Sequence, residues 1–401
     1  MLRPGTFALT LLLAALTTLG PLSIDMYLPS LPEIGRALAA PTASVQLTIS
    51  SYLIGFAAGQ IIYGPVSDRY GRRPILFAAL AVYVVGTGIC AGAQSIGPLI
   101  AGRLLQGVGG AGSNVLARAI VRDLYTGVRA ARELSLMGSI MAFAPIVAPM
   151  IGGVLQTQFG WRANFILMVI AAVIVFAAAS RLLPETMAKR SAEPFSLAWL
   201  GKGYISLLRH RSFVAYLAIM TISYAGLFAW ISAAAVVLEG IYGMSAVTFG
   251  FTFALGAAGF MAGAAGAARL VLRLGLDRMM GLGVSLLAAG GSGFAVIVAT
   301  QIPNGLWLIV AMAVYLAGLG LAMPQAMAGA LTPFPERAGM AASLLGVVQQ
   351  SAAAAAAAVI GAYLGPSAWP AAAAVFAAGW LTFLVWAFTR GLRAQESQNS
   401  P

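Results

Sequence analysis

Residues 44–94 read SVQLTISSYLIGFAAGQIIYGPVSDRYGRRPILFAALAVYVVGTGICAGAQ. Two apolar runs, 44–63 and 75–94, flank one short loop, Gly64-Pro65-Val66-Ser67-Asp68-Arg69-Tyr70-Gly71-Arg72-Arg73-Pro74, which holds all the charge of the stretch. About 20 apolar residues in a helix cross a bilayer. Lipid admits only helices or closed barrels, because backbone polar groups find no water there. The runs do not alternate with period two, so they are helices rather than barrel strands.

Working outward, the same unit recurs. Apolar segments fall at roughly 6–28, 44–63, 75–94, 97–117, 134–156, 163–183, 212–237, 247–268, 279–300, 305–329, 338–362 and 367–389. The fold class is therefore all-α membrane, with twelve transmembrane helices. Composition agrees: of 401 residues 60% are hydrophobic and 8% charged, against about 25% charged in soluble domains. The first run follows Arg3, which raises a cleaved signal peptide as an alternative. The run continues to about residue 28 without a clear small-residue cleavage site, and its removal leaves an odd number of spans.

The net charge of +12 does not point to nucleic acid, because the basic residues sit in short loops between apolar runs. With both termini inside, 20 of the 23 Lys and Arg fall in inner loops and tails, as the positive-inside rule requires. Arg36 and Arg162 fall outside, and Arg103 falls within a run. Both termini are thus expected to be cytoplasmic. One long connection, 184–211, contains Lys189, Arg190, Glu193, Lys202, Arg209, His210 and Arg211. It divides the chain into 1–183, a central cytoplasmic loop at 184–211, and 212–401. The loop Leu272-Arg273-Leu274-Gly275-Leu276-Asp277-Arg278 echoes the first half's loop when Gly275 is aligned with Gly71. Transporters built from related halves show such echoes.

Asp25, near the outer end of the first run, and Arg103, in the outer half of the fourth, are the two ionisable residues that the runs place clearly inside the bilayer. A charge there costs roughly 2.5–3.5 kcal/mol on insertion scales and marks a site. Similar depth and opposite sign make them candidate partners. An acid held between burial and a guanidinium can exchange its proton as the access of water changes. A second reading stays open, in which Asp25 caps the helix end and Arg103 ties a carbonyl. In the 64–74 loop, Gly64 and Gly71 suit tight turns, and Asp68 is placed to face the dipole of the following helix. With Arg69, Arg72 and Arg73 they form a candidate gate latch, or merely a positive-inside anchor. In the fifth run Pro145, Pro149, Gly152 and Gly153 predict a kinked helix with one small face for close packing. Tyr52, Asn114, Phe143, Tyr224, Trp230, Gln325 and Gln349 are candidate cavity residues that read equally as helix glue. The lone Cys90 allows no intrachain disulfide. No metal-ligand cluster, phosphate-binding Gly-rich loop or nucleophile triad is found in the sequence, so no enzyme, cofactor or metal is expected.

Together these motifs resemble the major facilitator superfamily, in the loop 64–73, in Arg103-x-x-Gln106-Gly107-x-Gly109, and in the Pro/Gly run of the fifth segment. In that run Ala144 and Ala148 replace the usual glycines. The words Asp25-Met26-Tyr27-Leu28-Pro29, Arg118-Ala119-Ile120-Val121-Arg122-Asp123-Leu124-Tyr125, Trp161-Arg162-x-x-Phe165, Leu183-Pro184-Glu185-Thr186 and Gln349-Gln350 resemble the Bcr/CflA branch, the bicyclomycin and chloramphenicol resistance exporters. The resemblance implies two six-helix bundles around a central cavity and alternating access. It also implies proton-driven drug export at the inner membrane, with Asp25 as the protonatable acid and Arg103 as its coupling partner. The implied partners are a small, largely apolar drug, protons and the bilayer. No nucleic acid is expected, the proton gradient is the energy source, and the protein is expected to be a monomer. The alternative is uptake by symport, or export of a metabolite or sugar.

Overall fold

A computed structural model describes residues 6–125, 127–187, 197–334, 337–365 and 367–393. Among them the regular structure is helical, with no strand. The chain divides into two compact units, one of Met1–Phe195 with Ala246–Gly250, the other of Ser196–Ser245 with Phe251–Pro401.

The first unit contains α1 (Phe7–Asp25), a short 3-10 turn (Leu28–Ser30), α2 (Leu31–Ala37), α3 (Thr42–Tyr70), α4 (Arg72–Gly92), α5 (Ile96–Leu124), α6 (Gly127–Met141), α7 (Ala144–Phe159) and α8 (Arg162–Leu182). The second contains α9 (Leu197–Leu208), α10 (Arg211–Ala235) with a π-helical extension (Val236–Ile241), α11 (Ala246–Leu274) from Phe251 onward, α12 (Leu276–Ala299), α13 (Leu306–Leu331), α14 (Ala338–Tyr363) and α15 (Trp369–Phe388).

Proline and glycine set the interruptions. Pro29 and Pro32, which cannot donate to a preceding turn, follow the end of α1, so the regular α-helix ends at Asp25 and passes through a 3-10 turn into α2. Pro145 removes an N–H, and its ring conflicts with the carbonyl four residues back, which is that of Met141, where α6 ends. Gly71 joins α3 to α4 at φ +102°, and Gly275 joins α11 to α12 at φ +78°. Both positions need the left-handed backbone that glycine adopts freely. The Gly71–Gly275 alignment therefore corresponds to one turn geometry used in both halves.

Eleven stretches of described residues are long and apolar enough to cross a membrane. The remaining expected span, α5, has 29 residues but is diluted by Arg103, Gln106, Asn114 and a series of glycines. These face protein instead of lipid: Arg103, Gln106, Gly107, Gly109, Gly110 and Gly112 are all buried. A Cβ on Gly107 would stand 2.0 Å from the Tyr52 carbonyl oxygen of α3, and one on Gly109 2.3 Å from the Tyr83 amide of α4. Small residues let the helix backbones meet without intervening side chains. By contrast α8 leaves Ile166, Ile170, Val173 and Ile174 exposed, as a lipid-facing helix does. Twelve spans thus remain, with α5 at the centre of the first unit.

The segment 184–211 is more than a loop. Lys189, Arg190 and Glu193 lie outside the described residues, but α9 occupies Leu197–Leu208. Leu207 is fully buried, and the Tyr204 hydroxyl lies 3.0 Å from the Ser343 hydroxyl of α14. The division between units falls before α9, at Ser196, so this helix packs as part of the second unit.

Candidate functional site

Arg103 occupies the interior of the first unit with no exposed surface. Its Nη1 donates to the Ser23 carbonyl at 2.8 Å and to Gln106 Oε1 at 2.5 Å, and its Nε points at the Thr48 carbonyl at 3.4 Å. The guanidinium carbon lies 4.7 Å from the Tyr27 ring centroid and 4.5 Å from that of Tyr52, within the range of cation–π attraction. The rings are fixed in turn. Tyr27 shares a hydrogen bond of 2.7 Å with Thr48, Tyr52 donates to the Gly20 carbonyl at 3.2 Å, and Tyr83 lies 2.7 Å from Ser23 Oγ. Helices α1, α3, α4 and α5 therefore hold one cation in an aromatic and carbonyl cage.

Asp25 is 6% exposed and ends α1. Among the described residues it makes no side-chain hydrogen bond and no ion pair, so the expected Asp25–Arg103 pair is not formed in this structure. Helical rotation explains the separation. Ser23 faces α4 through Tyr83, and two residues further on a side chain points about 200° away. Arg103 instead ties the Ser23 carbonyl. Its Nη2 is buried and has no hydrogen-bond partner among the described residues, which leaves one donor uncommitted beside the end of α1.

The proline and glycine helix, α7, adjoins the same place. A Cβ on Gly152 would stand 2.1 Å from the carbonyl oxygen of Met26, the residue after Asp25. Asn164 Nδ2 adds a bond to Ser30 Oγ at 2.8 Å. Pro149 and Gly153 are buried in α7, whereas Pro145 lies in its first turn and forces the break from α6. The helix is interrupted there rather than gently kinked.

At the α3–α4 junction a second cluster forms. Arg72 bonds Asp68 through Nη1 at 2.5 Å and Asp123, at the end of α5, through Nε at 2.9 Å. Glu185, beyond α8, accepts the N–H groups of Arg72 at 3.0 Å and Arg73 at 3.2 Å. Arg73 Nη2 reaches the Ser180 carbonyl at 2.6 Å, and Thr186 Oγ1 reaches Asp123 at 3.2 Å. Glu185, not Asp68, is thus the carboxylate at the N-terminus of α4. Asp68 belongs to the last turn of α3, where it pairs with Arg72. Arg69 stays outside this network, with its guanidinium 5.6 Å from the Tyr70 ring. Gly64 makes no turn. It lies within α3, and a Cβ there would meet nothing within 4 Å.

The cavity candidates scatter. Tyr52 belongs to the Arg103 cage. Asn114 on α5 is 9% exposed, and Phe143, at the α6–α7 break, is 56% exposed. In the second unit Trp230 is packed edge-on against Phe294, with centroids 5.1 Å apart, and serves as core. Tyr224 lies against Phe228 at 4.9 Å. Gln349 Nε2 ties α14 to the Met220 carbonyl of α10 at 3.4 Å, and Gln325 is buried in α13.

Sequence reading missed two acids. Glu185 appeared only within a family word, and its capping role needed the approach of α8 to α4. Glu239 fell beyond the expected end of the seventh span at 237. The π-helical extension carries that span on to Ile241, so Asp25 is not the sole acid within the spans. The signal was available in the apolar residues Val236, Val237, Leu238 and Ile241 around it.

Comparison with known proteins agrees with this architecture. The profile of the Major Facilitator Superfamily matches residues 13–357. A bicyclomycin resistance protein homolog of Haemophilus influenzae is 30% identical over 348 residues, 86% of this chain and 87% of that protein. Multidrug resistance protein D of Escherichia coli is 31% identical over 358 residues, 87% of each chain. A crystal structure of a D-xylose–proton symporter superposes with a TM-score of 0.75 at 18% identity, covering 94% of this chain and 97% of that one. At that identity the likeness speaks to fold alone. With twelve helical spans, its loop and span motifs in place and a profile match over most of its length, the chain belongs to the Major Facilitator Superfamily.

Proposed function

We propose that this transporter exports small, largely apolar compounds across the inner membrane in exchange for protons. The observation that carries the reading is the end of α1. There a nearly buried carboxyl, Asp25, ends α1 two residues after Ser23, whose carbonyl accepts from the caged Arg103, and Arg103 Nη2 has no hydrogen-bond partner among the described residues. The resistance names of the similar proteins support a drug as cargo.

In the proposed cycle, deprotonated Asp25 accepts the free donor of Arg103 in the drug-binding conformation. Because the regular α-helix ends at Asp25 and gives way to a 3-10 turn, a modest rotation there exchanges this pairing for the arrangement in the structure. Proton uptake by Asp25 releases Arg103 to its carbonyl and Gln106 partners and favours the return. The Asp68, Arg72, Asp123 and Glu185 network acts as the latch that opens and re-forms once per cycle. The protein works as a monomer with both termini in the cytoplasm. It needs no cofactor, because the proton gradient supplies the energy.

The decisive measurement is proton release on drug addition to purified protein, for the parent and for Asp25→Asn. The variant is expected to release fewer protons, and equal release would defeat the assignment of Asp25. A drug panel in an efflux-deficient host tests direction and driving force. Selective resistance abolished by a protonophore is expected, whereas increased drug sensitivity or growth on a new nutrient would indicate import.

A further inference from the structure

In the second unit the start of α10 meets the end of α15, and a groove of about 360 Å³ lies between them. Val214, Ala215 and Ala218 of α10, Val385 of α15, and Leu208 and Leu392 form an apolar floor, while Arg209 and Arg211 stand at its rim. Arg211 is the first residue of α10 and Phe388 the last of α15. The groove therefore opens at the edge of the bilayer rather than at its midplane.

The two arginines are exposed, and among the described residues neither forms an ion pair. Arg393, one position beyond Leu392, behaves differently. It is 3% exposed, pairs with Asp277 at 2.9 Å and donates to the Trp386 carbonyl at 2.8 Å. The same surface thus holds one cation already committed to a carboxylate and two that remain available to an outside anion. The N-terminus of α10 adds partial positive charge at the same point. A soluble anion would leave the apolar floor uncovered, and an alkyl chain alone would leave the arginines uncompensated. A ligand with a phosphate joined to acyl chains satisfies both. Basic pockets between spans at the membrane surface bind anionic headgroups in this way.

We propose that this groove binds an anionic phospholipid, with its phosphate between Arg209 and Arg211 and one acyl chain along the Val214, Ala218 and Val385 floor. The test is native mass spectrometry of the full-length detergent-solubilised protein. It is titrated with phosphatidylglycerol, with phosphatidylcholine as the zwitterionic arm and inorganic phosphate as competitor. The parent is expected to retain phosphatidylglycerol and not phosphatidylcholine. A basic residue near the surface contributes roughly fivefold to such binding, so R209Q/R211Q is expected to bind about 30-fold more weakly. R181Q, an exposed arginine at the end of α8, serves as control and should bind as the parent does. A218F fills the floor while keeping both arginines and should also weaken binding. Parent-like binding by R209Q/R211Q, equal retention of phosphatidylcholine, or full displacement by millimolar inorganic phosphate would each overturn the proposal. If the double variant fails to elute as a monodisperse species, R209Q alone, with about a fivefold loss expected, decides together with A218F.

Discussion

At the scale of single residues, the first unit depends on where side chains are missing as much as on where they are present. Gly107 lets the backbone of α5 touch that of α3, and an added methyl would stand 2.0 Å from the Tyr52 carbonyl. Overpacking of this kind costs about 1–3 kcal/mol. Gly107→Ala is therefore expected to lower the Tm of the purified protein by several degrees and to displace Tyr52 from the Arg103 cage. Gly64→Ala is the contrasting case. Its methyl enters open space within α3, and Ala is favoured over Gly in a helix by roughly 0.5–1 kcal/mol. Its Tm should hold or rise. If Gly64 serves the latch, transport by Gly64→Ala falls while Tm does not, and unchanged transport would remove Gly64 from the latch. The two glycines look alike in sequence, and only the neighbouring backbone distinguishes them.

At the scale of elements, α4 is held at its start by a carboxylate from a distant part of the chain. Glu185 accepts two of its first N–H groups. Neutralising such a cap costs about 0.3–1 kcal/mol, and salt screens the effect. Glu185→Gln should therefore melt slightly below the parent at low ionic strength, with the gap narrowing in high salt; a salt-independent gap would mean a packing defect instead. Helix α5 allows a second prediction. It is the span with a wholly buried cation, and that burial comes from its neighbours. Inserted alone by a translocon, the α5 segment should partition poorly, and Arg103→Leu should favour its insertion by roughly 2.5–3.5 kcal/mol. In the whole protein the same change removes the donor to Ser23 and Gln106 and should reduce stability. Improvement in both assays would show that the cage contributes nothing to the fold.

At the scale of the whole molecule, topology is set by loop charge, and a reporter can read it. Fluorescent and alkaline phosphatase fusions at the C-terminus are expected to report a cytoplasmic end, active for the first and inactive for the second; the opposite result would invert every loop assignment. The span count, the helical class and the burial of Asp25 and Arg103 were legible from sequence, because hydrophobicity and charge act residue by residue and lipid excludes most alternatives. Gly71 likewise announced a turn through its own covalent geometry, whereas Pro145 announced a kink where the structure has a full break between α6 and α7. The partners were not legible. Helical rotation turns Asp25 away from the face that Ser23 presents to Tyr83, and Arg103 meets a carbonyl, Gln106 and two rings instead of a carboxylate. Glu185 finds its role only where the end of α8 returns to the start of α4, more than 100 residues away in the chain. Sequence alone determined which residues must cross the membrane, since that preference belongs to each side chain and its solvent. Tertiary structure decided which of the polar groups inside satisfy one another, since hydrogen bonds and ion pairs depend on distance and direction between elements that sequence order does not specify.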